Sequence, residues 1–172
     1  MKRHVVLIGL PGSGKTTVGK LAAAQLHAEF VDVDAIIARR EGKPITMIFA
    51  EKGEAAFREM ERKEMETALS AAPAVVAPGG GWAAQPGAID QARGAALVIY
   101  LRARAETAAQ RAAPEGTRPL LMGEDPVARM RQLLKEREPF YRNAHAQVDT
   151  DRKTPSEVTF EVVRLAQSSA GW

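Results

Sequence analysis

No cysteine occurs among the 172 residues of the chain, which excludes disulfide bonds, thiolate metal sites and thiol nucleophiles together. Long apolar runs are lacking too: Val5–Ile8 is ended by the glycine-rich segment Gly9–Gly14 and is too short for a signal peptide or a membrane span. Aromatic residues make up only 5%, and the net charge of +3 comes without a basic run, which argues against nucleic acid as a partner. We therefore expect a cytoplasmic protein that binds neither membranes nor nucleic acid.

The length predicts a single domain over residues 1–172. Short apolar runs alternate with amphipathic helical patterns, which is typical of an α/β fold with a parallel sheet covered on both faces. Strands are predicted at Val5–Ile8, Phe30–Val33, Ala74–Ala77, Ala96–Leu101 and Ala146–Val148, with helices between and after them. The irregular segment Pro114–Asp125 is predicted to form a mobile loop over a site.

The segment from Gly9 to Thr16 reads Gly-Leu-Pro-Gly-Ser-Gly-Lys-Thr and matches the phosphate-binding pattern G-x-x-x-x-G-K-[ST]. A predicted strand leads into it and a predicted helix leaves it, so backbone N–H groups and the helix dipole are expected to face phosphate oxygens. Lys15 is predicted to reach the β- and γ-phosphates, and the Thr16 hydroxyl to bind Mg²⁺. The motif indicates a nucleoside triphosphate and leaves the acceptor open.

Two carboxylates follow the second predicted strand. Period-two geometry would send Asp32 and Asp34 to the same side, at the sheet edge where ligands bind in open α/β folds. They could bind a metal through water, hold hydroxyl groups or accept a proton. Equally, they could cap a helix that starts near Ala35.

The other acceptor-side features are ambiguous when taken singly. Gly79-Gly80-Gly81 follows the third predicted strand and permits either a close backbone approach to a ligand or a flexible turn. Arg58, Arg118 and Arg137 could each bind an anion or be solvated surface residues.

Together these segments resemble the shikimate kinase family over nearly the whole chain. The order and spacing both fit. The matching pieces are Gly9–Thr16, Asp32-Val-Asp34, Ile48-Phe49, Gly53-Glu-Ala-Ala-Phe57-Arg58-Glu59, Gly79-Gly80-Gly81, Arg118-Pro-Leu-Leu121 and Arg137-Glu-Pro-Phe-Tyr141.

For the acceptor, the resemblance implies shikimate. Asp34 is then the residue that bonds the shikimate hydroxyls and assists deprotonation. Arg58 and Arg137 grip the carboxylate, and Gly80 and Gly81 supply backbone contacts.

For the nucleotide, the resemblance implies ATP with Mg²⁺. Arg118 is expected to reach the phosphates from a lid and to act in catalysis with Lys15 and Asp34. Thr16 would bind Mg²⁺ directly and Asp32 through water. The nucleotide-binding residues implied in this way are Gly12, Ser13, Gly14, Lys15, Thr16, Thr17, Arg111, Arg118, Arg152 and Pro155.

The family also implies a fold and a reaction. The fold is the three-layer α/β/α P-loop kinase fold, with a five-stranded parallel sheet of order 2-3-1-4-5, a substrate-binding region at about 33–61 and a mobile lid at about 112–125. The reaction moves the γ-phosphoryl group of ATP to the 3-hydroxyl of shikimate, a step of aromatic amino acid biosynthesis, and we expect a monomer. The alternatives are another small-metabolite kinase, such as a gluconate kinase, and a non-catalytic nucleotide-binding regulatory module.

Overall fold

A parallel five-stranded sheet organises the part of the chain that the computed structural model describes, residues 1–112 and 125–172. Its order is β2-β3-β1-β4-β5, and all four strand pairs are parallel. The predicted sheet order is confirmed, and each predicted strand lies within one residue of its observed bounds. The strands are β1 His4–Ile8, β2 Phe30–Asp32, β3 Val75–Ala77, β4 Ala96–Arg102 and β5 Ala146–Asp149.

Helices connect the strands and cover the sheet. The backbone leaves the helical conformation once inside α3, at Gly53, where φ is 84°. A short 3₁₀ helix, Trp82–Ala84, follows the triple glycine. The α-helices in the described residues are α1 Lys15–Leu26, α2 Val33–Glu41, α3 Ile45–Ser70, α4 Ala88–Ala92, α5 Ala105–Ala112, α6 Pro126–Tyr141 and α7 Pro155–Ser169.

The two faces of the sheet carry separate apolar clusters, as the alternating direction of strand side chains requires. On β1, Val5 and Leu7 pack with α1 and α7, whereas Val6 and Ile8 pack beneath the helices of the opposite face. All four side chains are almost completely buried, and each such burial contributes about 1.5–3 kcal/mol. The central strand is therefore held from both sides, which fixes the loop that follows it.

The second strand is shorter than the sequence predicts. β2 ends at Asp32, whose Oδ1 accepts a hydrogen bond from the Ala35 N–H at 3.2 Å, and α2 begins at Val33. The prediction that Asp32 and Asp34 share one side of a strand is wrong, because the Asp32 cap starts the helix two residues early. Asp34 instead lies in the first turn of α2, close to its N-terminus.

Candidate active site

The loop between β1 and α1 is the candidate phosphate site. Because α1 begins at Lys15, the N-terminal N–H groups of the helix and the positive end of its dipole lie at the loop. Gly12 has a φ of 80°, and a Cβ at this position would collide with the carbonyl oxygen of Ala108 on α5. Only glycine fits where the loop packs this closely against α5.

The Lys15 side chain lies inside this loop. Its Nζ donates hydrogen bonds to the carbonyl oxygens of Gly9 and Leu10, both at 2.8 Å, and only 8% of the residue is exposed. Hydrogen bonds from a charged donor are stronger than neutral ones, so these contacts help to fix the shape of the loop. The sequence motif predicts the role of Lys15 towards phosphates but not this structural one.

A cleft of about 260 Å³ extends from the phosphate loop towards α7. Arg111, at the end of α5, donates hydrogen bonds to Thr150 Oγ1 and to the Thr150 carbonyl oxygen, each at 3.2 Å. Thr150 is itself anchored to the Arg102 carbonyl oxygen at 3.0 Å. The described residues that line the cleft are Gly12, Ser13, Gly14, Lys15, Thr16, Thr17, Val18, Arg111, Thr150, Lys153, Pro155 and Val158.

The lining of this cleft includes most, but not all, of the residues expected to bind nucleotide. Arg111 and Pro155 lie at its wall, whereas Arg152 lies outside it on an exposed turn with a φ of 60°. Thr150 and Lys153 line the cleft and were not predicted. The position of Thr150 directly after β5 was the available signal, because ligands in open α/β sheets bind beyond the carboxyl ends of the strands.

Two exposed oxygens at the mouth of the loop form the candidate Mg²⁺ site. The Thr16 hydroxyl donates to Asp32 Oδ2 at 3.5 Å. Mg²⁺ usually keeps several waters and takes only one or two protein oxygens beside the phosphates of its nucleotide. This donor pair fits that chemistry. Among the described residues there is no cluster of three or more acidic or histidine side chains that would hold a metal unaided.

The predicted acceptor residues converge on the triple glycine after β3. If Gly79 carried a Cβ, that atom would lie only 2.7 and 2.8 Å from the two carboxylate oxygens of Asp34. Arg137 Nη1 is 3.0 Å from the corresponding point on Gly80, and a Cβ on Gly81 would collide with the Arg58 guanidinium. Three elements thus bring two arginines and a carboxylate to one short glycine segment, which has to lack side chains to admit them.

Arg58 is held in a fixed orientation. Its Nη1 donates to Glu61 Oε1 at 2.9 Å, and the side chain of Glu61 is only 1% exposed. Its guanidinium carbon lies 5.4 Å from the ring centroid of Phe57 and 5.9 Å from that of Phe49, within the range of cation–π contacts. Such a desolvated, pre-oriented guanidinium is suited to bind a carboxylate.

Glu61 is a residue of the acceptor cluster that sequence reasoning missed. Burial, and after it the negative charge of Asp34, raise the pKa of Glu61 to about 8, although the charges of Arg58 and Arg137 oppose the shift. Its Oε2 is buried and makes no hydrogen bond to the described residues. A protonated Glu61 holds Arg58 without neutralising it. The i,i+3 spacing of Arg58 and Glu61 on one helix does not single it out, because Glu59 and Arg62 have the same spacing.

The phosphate loop and the acceptor cluster adjoin at Gly80. The Gly9 carbonyl oxygen and Arg137 Nη1 both lie 3.0 Å from the same point, the position of a Cβ on Gly80, and Pro11 Cδ lies 3.4 Å away. A ligand bound at the arginines would therefore lie next to the candidate phosphate site. Arg118 and nearly all of the expected lid lie outside the described residues.

Comparisons with known proteins agree with this geometry. A family model described as shikimate kinase matches residues 11–167. A shikimate kinase of Caldanaerobacter subterraneus is 41% identical, over 94% of this chain and 95% of its own length. The solved structure of a shikimate kinase from Acinetobacter baumannii in complex with shikimate is 34% identical, covers 98% of this chain and 94% of its own, and superposes with a TM-score of 0.92.

The chain belongs to the shikimate kinase family. The resemblance drawn from the sequence is thereby confirmed, together with the fold and an ATP-dependent kinase activity. A gluconokinase from Sinorhizobium meliloti, at 21% identity and a TM-score of 0.63, shares the fold alone. None of the helices in the described part of the chain combines the length and apolar character that a membrane span requires.

Proposed function

We propose that the chain transfers the γ-phosphoryl group of ATP to the 3-hydroxyl of shikimate, giving shikimate 3-phosphate and ADP, with the residues assigned below. The site has two half-sites, the phosphate loop and the acceptor cluster around the triple glycine. The observation that carries this proposal is that they meet at Gly80, where the phosphate loop and Arg137 approach the same point. Phosphoryl transfer requires little covalent chemistry from the protein and depends on positioning and charge. A site in which the acceptor pocket directly adjoins the phosphate loop supplies both.

On the acceptor side, Arg58 and Arg137 would bind the shikimate carboxylate, because their planar guanidinium groups suit its geometry. Asp34 would hold the ring hydroxyls and accept the proton of the hydroxyl that attacks. The backbone of Gly80 and Gly81 would complete the pocket. Because a protonated Glu61 leaves Arg58 its full charge, both arginines remain available for the carboxylate.

On the nucleotide side, the loop residues Gly12, Ser13, Gly14 and Thr17 would surround the phosphates, and Lys15 would place its charge against the β- and γ-phosphates. Arg111 and Pro155 would contact adenine, with Arg152 nearby. Thr16 directly and Asp32 through water would hold Mg²⁺, which neutralises phosphate charge when bound. Arg118 is proposed to add positive charge at the γ-phosphate. The monomeric state and the cytoplasmic location stay predictions.

A coupled assay of ADP release tests the reaction. We expect MgATP turnover that depends on shikimate, with at most a slow background when shikimate is absent or is replaced by gluconate. Equal ATP consumption with and without shikimate would reject the proposed acceptor. Turnover on gluconate would favour the gluconate kinase alternative, and a protein that binds ATP without turning it over would favour the regulatory module.

A further inference from the structure

Tyr141 ends α6 one helical turn after Arg137, so the two side chains lie on the same face of that helix. It is completely buried, with 0% of the residue exposed. Its hydroxyl donates a hydrogen bond to the carbonyl oxygen of Gly80 at 2.6 Å, at the short end of the usual range. A side chain of the last turn of α6 thus contacts the glycine segment at which the two half-sites adjoin.

Arg137 reaches the same glycine from the preceding turn of α6. Its Nη1 lies 3.0 Å from the position that a Cβ would take on Gly80, and the carbonyl oxygen of Gly80 accepts the hydrogen bond from Tyr141. Burial raises the pKa of Tyr141, and the nearby charge of Arg137 opposes that rise. Tyr141 and Arg137 therefore approach one point of the glycine segment together.

Core packing explains the ring of Tyr141 but not its hydroxyl. The ring lies 5.0 Å from the ring of Tyr100, centroid to centroid, in a tilted pair. Phenylalanine would fill the same space. The Tyr100 hydroxyl instead donates to Glu138 Oε2 at 2.9 Å and, within the described residues, makes no hydrogen bond to Gly80. Two adjacent, buried tyrosines thus differ in whether their hydroxyl reaches the site.

We propose that Tyr141 is a positioning residue, which holds Arg137 and the Gly80 backbone at the separation that a carboxylate-bearing acceptor requires. The inference rests on the proposed function, because it needs Arg137 to bind the acceptor carboxylate. Tyr141 would not touch the acceptor. It would restrict the rotamers of Arg137 and the position of the glycine segment, so its loss should appear as weaker acceptor binding rather than as a failure to bind nucleotide.

The test compares Tyr141→Phe with the matched control Tyr100→Phe, since each removes one buried hydroxyl from the same ring pair. We expect Tyr141→Phe to raise the KM for shikimate about fivefold, the fold-change that corresponds to one hydrogen bond of typical strength. The KM for ATP should change less than about twofold, and Tyr100→Phe should leave both constants near those of the wild type. Thermal melts of both variants check that the fold is retained.

A double-mutant cycle separates positioning from general destabilisation. If Tyr141 acts through Arg137, Tyr141→Phe should cost little further shikimate affinity, measured by calorimetric titration, once Arg137 is alanine. Full additivity would overturn the inference, as would an unchanged KM for shikimate in Tyr141→Phe or an equal rise in the KM for ATP. A wild-type protein without shikimate-dependent turnover would reject the proposed function as well, whereas an active wild type with an unaffected Tyr141→Phe rejects this inference alone.

Discussion

Replacing Glu61 with glutamine should change how the stability of the protein depends on pH. The carboxyl group lies among Asp34, Arg58 and Arg137, and its pKa is raised from the ordinary value of 4.5 to about 8, first by burial and then by the charge of Asp34. Glutamine keeps the size of the side chain and an oxygen that can accept from Arg58. It removes the proton that the native state binds more tightly than the unfolded chain does.

The sign of the effect follows from proton linkage. Between a pH of about 4.5 and about 8, the native protein holds a proton on Glu61 that the unfolded chain has released. The native state binds more protons there, so its free energy of unfolding falls as the pH rises, by about 1.4 kcal/mol per pH unit for one proton. Below this window the carboxyl group is protonated in both states and costs nothing.

Urea unfolding of both proteins across this window measures the effect. The difference in unfolding free energy, Glu61→Gln minus wild type, should grow by about 2 kcal/mol from pH 6 to pH 7.5 in favour of the variant. Taking the difference removes the contributions of groups common to both proteins. Glu59→Gln is the control. Arg62 lowers the pKa of exposed Glu59 in the folded state, and the ordinary pKa of 4.5 leaves it ionised in the unfolded chain, so it is charged in both states above pH 6. Parallel pH profiles for wild type and Glu61→Gln would refute the reasoning.

The remaining predictions concern the charges of the two half-sites. Lys15→Ala should reduce kcat roughly 10²- to 10³-fold and lower the melting temperature, because the carbonyl oxygens of Gly9 and Leu10 lose a charged donor. The control Lys20→Ala, at an exposed position, should do neither. Near-normal turnover in Lys15→Ala would remove this residue from the mechanism. Arg58→Ala and Arg137→Ala should each weaken shikimate binding by more than about tenfold in calorimetric titrations while sparing ATP. Their losses should not add in the double variant if both contact one carboxylate, and additive losses would argue against that pairing.

The fold was readable from the sequence because its signals are local and repeated. Each strand of a parallel sheet covered on both faces is a short apolar run, and Ala96–Leu101 matched β4 to within one residue. The glycines and Lys15 of the phosphate loop form a contiguous motif, so its place between β1 and α1 could be predicted without tertiary information.

The chemistry around the triple glycine was only partly readable, since its residues come from distant elements. A capping hydrogen bond at Asp32 decided whether Asp34 lies on a strand or a helix, and residue propensities for strand and helix do not predict that bond. Nothing local distinguishes the buried Glu61 from the exposed Glu59 on the same charged helix. The link from Tyr141 to Gly80 spans 61 positions and exists only after α6 has packed on the sheet.

The protonation of Glu61 also bears on why the pocket would prefer an anionic acceptor. With Glu61 neutral, the buried cluster holds two guanidinium groups, Arg58 and Arg137, against the single carboxylate of Asp34, a net charge of about +1 in the protein alone. An ionised Glu61 would cancel that charge and pair with Arg58 in place of the ligand. Buried charge without a partner is costly, so a bound carboxylate is the group that completes this cluster. On this reasoning a Glu61 whose pKa is raised by burial helps to select for a carboxylate, while Asp34 remains the group proposed to face the hydroxyls.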